Sequence, residues 1–199
     1  MYHVGRAYAK QDEYVTPYYA VVPLVGHLNR AMRVWCPADT EDSQIVKCLR
    51  DKGFQVHATD IKTGQDFFNY TPDFEFDIIV TNPPYSLKNE WIERCGQLGK
   101  PFALLLPVTT LCSKKRLVLF ERYGAPDIIL FDRRIGFSGK ERCHFYADWF
   151  MWPYFSSKGS STITYVHLEK PERSRGGGRR KGSGRRSKQI DIMDLLEGK

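Results

Sequence analysis

The chain has 199 residues, of which 42% are hydrophobic and 14% aromatic, and its formal net charge is +7. This composition is typical of a globular protein long enough to form a substantial core, and it argues against a disordered chain. No apolar run approaches the roughly 20 residues that a membrane-spanning helix needs, and the first residues lack the apolar segment of a signal peptide.

Five cysteines occur, an odd number, and none forms a Cys-x-x-Cys pair. This spacing argues against a disulfide framework or a zinc site. We therefore expect reduced thiols, no bound metal and a cytoplasmic protein.

The first predicted helix covers residues 18–28, where apolar residues recur along one stripe. Thr16 and Pro17 precede it, and Thr before Pro is typical of an N-cap followed by the first helical turn. From the residues alone, this pattern predicts a well-capped surface helix.

The first predicted strand is Met32 to Trp35, followed by the loop Cys36-Pro37-Ala38-Asp39. A helix is predicted over residues 40–52, with Thr40 or Asp39 as its cap. A strand, a loop and a helix start in this order form the cofactor site of Rossmann-type sheets. The usual Gly-x-Gly is absent here, and glycines are what allow a backbone to approach a ligand closely.

A second strand is predicted over residues 54–60, ending at Asp60. An acid at that position, about 20 residues after the cofactor loop, can accept hydrogen bonds from both ribose hydroxyls. The alternative is a solvated aspartate in a turn. Asp66-Phe67-Phe68 follows, and at least one of the two phenylalanines is expected in the core.

Residues 76–80 are predicted to form a buried strand, which Thr81-Asn82-Pro83-Pro84-Tyr85 follows directly. The two prolines lack amide donors, so the carbonyls beside them are not absorbed into a helix or a sheet. A carboxamide, a carbonyl and an aromatic ring are thus presented together. This set suits an exocyclic amine on a planar ring; the alternative is a Pro-Pro turn with a surface tyrosine.

Two further helices and two strands are predicted after this motif, over residues 87–98, 102–108, 114–122 and 128–131. The order β-α-β-β-α-β-α-β predicts an α/β fold, a doubly wound and mostly parallel sheet. Ligands bind at the carboxyl ends of the strands in such sheets. The polar residues expected at those ends are Asp39, Asp60, Asp66 and Asn82.

Residues 133–147 form a basic loop that contains glycine and aromatic residues, and residues 148–152 and 162–168 are predicted to form an antiparallel C-terminal hairpin. Such a loop suits a nucleic-acid groove, although an ordinary surface loop is the alternative. The candidate nucleic-acid contacts in this loop are Arg133, Arg134, Lys140 and Arg142.

Residues 171–189 are rich in Arg, Gly and Ser and are predicted to form a disordered basic tail. Eight basic residues lie between Arg173 and Lys188 without an acid, so the rest of the chain is nearly neutral. The tail can neutralise phosphates, or it can simply aid solubility. Its candidate nucleic-acid contacts are Arg179, Arg180, Lys181, Arg185 and Arg186. Residues 190–199 could form a short amphipathic helix that docks on a protein partner.

Residues 76–85 resemble the catalytic motif of amino-methyltransferases that use S-adenosylmethionine, particularly the DNA adenine-N6 group. The Cys-Pro-x-Asp loop is similar to that of small phage-type members. The resemblance covers roughly residues 12–152, and its segment order is like the gamma-type arrangement. It implies a Rossmann-like class I methyltransferase domain over residues 1–170, in a bacterial or phage-infected cell, acting on double-stranded DNA.

The resemblance also implies roles for individual residues. The target adenine would be flipped out and stacked on Tyr85, and its amine would donate to the Asn82 side chain and the Pro83 carbonyl, with Pro84 completing the motif. Direct in-line displacement would then transfer the methyl group. The residues implied to bind S-adenosyl-L-methionine are Thr16, Pro17, Cys36, Pro37, Asp39, Asp60, Asp66, Phe67 and Asn82.

Two other functions stay open. The same motif serves enzymes that methylate an RNA base or a protein glutamine, and the residues do not distinguish DNA from RNA. A degenerate cofactor loop would also suit a non-catalytic adaptor that binds nucleic acid. Few residues remain for target recognition, which predicts relaxed or short-sequence specificity, or dependence on a partner.

Overall fold

The computed structural model describes residues 14–137, 145–152, 161–169 and 188–191. Its strands are β1 (Arg33–Pro37), β2 (Gln55–Thr59), β3 (Ile78–Thr81), β4 (Phe102–Pro107), β5 (Asp127–Phe131), β6 (Ala147–Trp152), β7 (Thr162–Val166) and β8 (Lys188–Asp191). Its α-helices are α1 (Tyr18–Val25), α2 (Gln44–Asp51), α3 (Lys88–Leu98) and α4 (Lys114–Tyr123). No helix in these ranges is both long enough and apolar enough to span a bilayer.

The strands form one sheet in the order β2-β1-β3-β4-β6-β5-β7-β8. From β1 the chain crosses through α2 to β2 on one side, and from β3 it crosses through α3 to β4 on the other. Because such crossovers are right-handed, these helices lie on opposite faces of the sheet. Helix α1 packs against α2, and α3 packs against α4. The predicted α/β class, a doubly wound and mostly parallel sheet, is confirmed.

The predicted C-terminal hairpin is wrong in its pairing. Strand β6 runs antiparallel between β4 and β5, whereas β7 runs parallel to β5 and antiparallel to β8. Five of the six side chains of β6 are buried, and its Trp149 and Phe150 are among the largest fully buried side chains. A strand that is apolar on both faces is more stable inside a sheet than at its edge, which explains the insertion.

The segment expected to begin a short C-terminal helix instead contributes to the sheet. Ile190 and Asp191 belong to β8, opposite Ile163 and Thr162 of β7. The predicted disordered tail falls outside the described residues except for its last two positions, which are in β8. The remainder of the predicted helix also falls outside them.

Two helix starts differ from the prediction. The side chain of Ser43, rather than Thr40 or Asp39, caps α2 by accepting a hydrogen bond from the Val46 amide. Asp39 is drawn into the interior by the Thr81 hydroxyl, which donates to its carboxylate. Thr16 likewise makes no cap contact at α1, because its hydroxyl accepts a hydrogen bond from Asn82 instead.

Four cysteines lie in the described part of the chain, and all four carry free thiols. Cys36, Cys48 and Cys95 are buried, and burial raises the pKa of each thiol. A neutral buried thiol packs as a small apolar group. Cys143 lies outside the described residues.

Candidate active site

The sheet reverses its winding between β1 and β3, and a cavity of about 310 Å³ opens at the carboxyl ends of the strands there. Such a switch point is the usual ligand site of an open α/β sheet. The chain contributes four groups of lining residues. They are Tyr14–Thr16 before α1, residues 38–45 after β1 except Glu41, Asp60, Ile61, Lys62, Gln65 and Phe67 after β2, and Asn82, Pro84 and Trp91 after β3.

Six of the residues singled out in the sequence line this cavity: Thr16, Asp39, Asp60, Phe67, Asn82 and Pro84. The others do not. Cys36 is fully buried within β1, and Pro37 is the last residue of that strand. Asp66 closes a local turn, in which its carboxylate accepts hydrogen bonds from the Phe68 amide and the Asn69 side chain. Pro17, Pro83 and Tyr85 are also absent from the cavity wall.

The loop after β1 makes its turn without glycine. Ala38 adopts φ = +68°, the left-handed conformation that normally favours glycine. The next amide, that of Asp39, donates to the Thr59 carbonyl at 3.1 Å, which ties the loop to the end of β2. The backbone course expected of a glycine-rich loop is therefore held by its neighbours. No feature of an alanine in the sequence predicts this.

Asp39 is buried directly below the loop. Its carboxylate accepts a hydrogen bond of 2.8 Å from the Thr81 hydroxyl at the end of β3. Burial raises the pKa of this carboxyl to about 7, and the hydrogen bonds from Thr81 and Ser43 offset the burial only in part. Asp39 consequently changes its charge near neutral pH, at the junction of the two strands that flank the switch point.

Asp60 follows β2 and lies near the surface of the cavity. Its carboxylate accepts a hydrogen bond of 2.7 Å from the Lys62 amide, which caps the single helical turn Ile61–Thr63. Asp42 also lines the cavity, so that three carboxylates face one lysine, Lys62. The donor and acceptor set favours a ligand that carries positive charge.

Two aromatic side chains form a flat wall of the cavity. Phe67 and Trp91 stack with ring centroids 4.0 Å apart and an angle of 8° between their planes. Both are almost completely buried, so Phe67 serves the core as well as the cavity, as expected for at least one of the two phenylalanines. Trp91 was not predicted as a site residue, since it has the spacing of an ordinary inner-face residue of α3.

The carboxamide of Asn82 is held by the segment that precedes α1. Its Nδ2 donates to the Tyr14 carbonyl at 2.8 Å and to the Thr16 hydroxyl at 2.9 Å. Its Oδ1 is buried and accepts no hydrogen bond from any residue that the structure describes. Buried acceptors are rarely left in this state, and they commonly mark a site that a ligand completes.

Tyr85 lies under other aromatic rings. The Tyr14 ring stacks on it, with centroids 5.4 Å apart and planes 20° apart, and Phe145 approaches edge-on at 5.3 Å. Phe137 contacts the Tyr14 ring at 5.2 Å. Only 7% of the Tyr85 residue surface is exposed. Tyr14, Phe137 and Phe145 thus join the motif tyrosine, a cluster that segments so far apart in sequence do not reveal.

The predicted nucleic-acid contacts are described only in part. Arg133 donates to the Asp132 carboxylate and contacts the His167 ring. The Arg134 guanidinium lies over the Tyr146 ring, 5.0 Å from its centroid. The remaining candidates, Lys140, Arg142, Arg179, Arg180, Lys181, Arg185 and Arg186, lie outside the described residues.

No protein-family model matches the chain, and no curated protein matches it. Solved structures similar to it include a modification subunit assigned to a type I restriction enzyme from Vibrio vulnificus YJ016, with 15% identity and a TM-score of 0.49. The match covers 82% of this chain and 49% of that one. A chain from a type I restriction–modification system gives 13% identity, a TM-score of 0.44, and coverage of 77% and 44%.

A protein from Thermoplasma acidophilum assigned as a methyltransferase gives 11% identity and a TM-score of 0.35, covering 72% of this chain and 77% of that one. The chain spans about half the length of the two type I structures. At these identities and TM-scores the likenesses assign the chain to no family, and the function has to be argued from the site itself.

Proposed function

We propose that this chain transfers a methyl group from S-adenosyl-L-methionine to the exocyclic N6 amine of adenine in DNA. The observation that carries the proposal is the buried Oδ1 of Asn82, which has no hydrogen-bond partner among the described residues. It lies in an Asn-Pro-Pro-Tyr motif beside a cavity at the switch point of the sheet. An exocyclic amine would supply the missing donor.

The cavity suits the chemistry of this cofactor. S-adenosylmethionine carries a sulfonium and an ammonium group, and the three carboxylates of Asp39, Asp42 and Asp60 line the cavity. Asp60 ends the segment after β2, where an acid can accept hydrogen bonds from ribose hydroxyls. The flat surface of Phe67 and Trp91 suits an adenine ring. We therefore assign these residues to cofactor binding.

Thr16 lines the same cavity and is also assigned to it, in keeping with the resemblance. Cys36, Pro37 and Asp66, which the resemblance also implied, would act through the shape of their loops, since they do not line the cavity. Pro17, as the N-cap of α1, would do the same. The left-handed Ala38 supports this assignment, because it keeps the loop course that glycine normally supplies.

The chain's own contribution to the reaction is to hold and polarise the amine. The cofactor supplies the methyl group. Asn82 Oδ1 and the Pro83 carbonyl accept the two N–H bonds of the target amine. Positive charge develops on that nitrogen as it attacks, and the two acceptors then bind it more strongly than they bind the neutral amine. Holding the nitrogen close to the methyl group provides the orientation that an in-line displacement requires.

The target base has to leave the DNA stack to reach these acceptors. It would stack on Tyr85, whose ring follows the two motif prolines. The Tyr14 ring covers Tyr85 in this structure, so the base would replace Tyr14 as the stacking partner. Phe145 would bound the base at its edge.

Contacts with the DNA backbone are proposed for the basic loop and the Arg-rich segment. Arg134 and Tyr146 place a cation and an aromatic ring side by side, which suits a strand with an unstacked base. Arg133 is paired with Asp132, so its contribution to phosphate binding would be partly neutralised within the protein. The Arg-rich segment would add affinity that falls with salt concentration.

A methyl-transfer assay tests the proposal. The protein is given S-adenosylmethionine with a labelled methyl group and unmethylated duplex DNA, with RNA and glutamine-containing protein as parallel substrates. We expect label on DNA adenine, lost in Asn82→Ala and retained in Asn29→Ala, which changes an exposed asparagine before the amino end of β1.

The other outcomes separate the alternatives. Label on RNA or on protein alone would replace DNA as the substrate while keeping the catalytic motif. Absence of transfer to every substrate, together with no cofactor binding by calorimetry, would leave the adaptor function instead.

A further inference from the structure

The orientation of the Asn82 carboxamide is set from outside the strand that carries it. Its two hydrogen-bond acceptors, the Tyr14 carbonyl and the Thr16 hydroxyl, are 68 and 66 residues away in sequence. Both belong to the short segment before α1. The strand and the prolines around Asn82 determine where this side chain lies, and the N-terminal segment determines which end of the amide faces which way.

Orientation matters because the two ends of a carboxamide have similar shapes and opposite hydrogen-bonding roles. With Nδ2 toward Tyr14 and Thr16, Oδ1 is left as the acceptor. A rotation of 180° would place Oδ1 against the Tyr14 carbonyl, so that two acceptors would face each other. It would also present an N–H group to an incoming amine, which is itself a donor.

The two contacts differ in what they can enforce. The Tyr14 carbonyl is a main-chain group and can only accept, so it excludes the rotated amide whatever side chain stands at position 14. Thr16 uses a side-chain hydroxyl that is buried, with 5% of the residue exposed. It satisfies the second N–H, which would otherwise be buried without a partner and could pull the amide out of its plane of contact.

We propose that Thr16 is a positioning residue that acts through Asn82, holding the carboxamide so that Oδ1 is presented to the target amine. The inference rests on the proposed function for its catalytic consequence. It differs from the direct cofactor contact that the resemblance implies for this threonine. A cofactor contact affects cofactor affinity, whereas a positioning contact affects the rate after substrates have bound.

Two substitutions at Thr16 separate the hydroxyl from the rest of the side chain. Thr16→Val keeps the branched shape and removes the hydroxyl, and Thr16→Ser keeps the hydroxyl. Thr164→Val makes the same chemical change at a threonine of similar burial, 7% exposed, in β7 near the far edge of the sheet. It controls for the loss of a buried hydroxyl elsewhere in the fold.

The first readout does not depend on activity. The side-chain amide of Asn82 is followed by ¹⁵N nuclear magnetic resonance, and its signal is identified by its absence from the spectrum of Asn82→Ser. We expect Thr16→Val to shift one of the two amide proton signals and to speed its exchange with water. Thr16→Ser and Thr164→Val should leave both signals near their original positions. An unchanged Asn82 signal in Thr16→Val would overturn the proposal.

The second readout is kinetic. We expect Thr16→Val to lower kcat about tenfold, the effect of one buried hydrogen bond to a catalytic side chain. Rescue by Thr16→Ser and a calorimetric Kd for S-adenosylmethionine within about twofold of the original protein would support positioning. A weaker Kd with an unchanged kcat would overturn positioning in favour of direct cofactor binding. If the original protein transfers no methyl group, the proposed function fails, and the resonance comparison still decides whether Thr16 orients Asn82.

Discussion

The rings of Tyr14 and Tyr85 stack at a centroid distance of 5.4 Å, although 70 intervening residues separate the two. The main chain of Tyr14 also accepts a hydrogen bond from Asn82. One residue therefore contacts both the carboxamide and the tyrosine of the Asn-Pro-Pro-Tyr motif. Its carbonyl and its ring have opposite consequences for a base that must bind there, because the first orients an acceptor and the second covers a stacking surface.

Replacing Tyr14 by alanine separates these two effects. Tyr14→Ala removes the ring and keeps the main-chain carbonyl that holds Asn82. We expect KM for DNA to fall about threefold to tenfold, the range that an aromatic pair contributes, because the base no longer competes with a tyrosine for the face of Tyr85. Steady-state kinetics measure this, with Tyr165→Ala, an exposed tyrosine on β7, as the control. A higher KM would show instead that the Tyr14 ring helps to bind the base.

Asn82→Asp tests the same site from the other side. A carboxylate has no N–H to donate, so it would face the Tyr14 carbonyl with a second acceptor and with negative charge. We expect methyl transfer to fall about 100-fold or more, since a buried charge is misplaced as well as a hydrogen bond lost. Single-turnover rates at saturating DNA measure the loss. Activity within a few-fold of the original protein would show that the Tyr14 contact does not constrain position 82.

Asp39 predicts a dependence of stability on pH. Burial raises the pKa of its carboxyl from 3.8 to about 7, so the folded protein binds this proton more tightly than the unfolded chain does. The free energy of unfolding therefore falls as pH rises from about 4 to about 7. Asp148 has a pKa raised to about 6, also by burial, and contributes in the same direction.

Asp39→Asn isolates the first contribution, because asparagine stays neutral and still accepts from Thr81. We expect the variant to be more stable than the original protein at pH 8, by on the order of 3 kcal/mol, and close to it at pH 4. Urea unfolding at both pH values measures the difference. A difference that stays constant between pH 4 and pH 8 would contradict the raised pKa.

Asp60→Asn tests the proposed ribose contact. Asparagine can still accept from the Lys62 amide and cap the turn, so the fold should be retained while the carboxylate is lost. We expect the Kd for S-adenosylmethionine to rise about tenfold, since a charge-assisted hydrogen bond becomes a neutral one. Calorimetry measures this, and Asp73→Asn, which changes an exposed aspartate, provides the control. Unchanged affinity would exclude Asp60 from the cofactor site.

Much of the fold could be predicted from local patterns. The order of helices and strands from residue 14 to residue 131 follows apolar periodicity, and the bounds differ from the prediction by only a few residues at each end. The placement of β6 could not be predicted in this way. An apolar strand such as Ala147–Trp152 fits a hairpin as well as a central position, and only competition for burial across the whole sheet decides between them.

The site divides in the same way. Asn82, Asp39 and Asp60 could be placed at strand ends, because parallel strands bring their carboxyl ends to one edge. Trp91 and Tyr14 could not, since neither follows a strand and each has the pattern of an ordinary helix or loop residue. Ala38 gives no sign of its left-handed conformation, which its neighbours impose through the contact between Asp39 and Thr59.

The amino-acid sequence by itself determined the α/β class, the switch point and the Asn-Pro-Pro-Tyr motif, because these depend on periodicity and on residues adjacent in the chain. The tertiary structure alone decided which way the Asn82 amide faces, what covers Tyr85 and how far the pKa of Asp39 is raised. Each of these depends on groups far apart in sequence that folding brings within hydrogen-bonding or stacking distance, where exclusion of water makes their interactions strong.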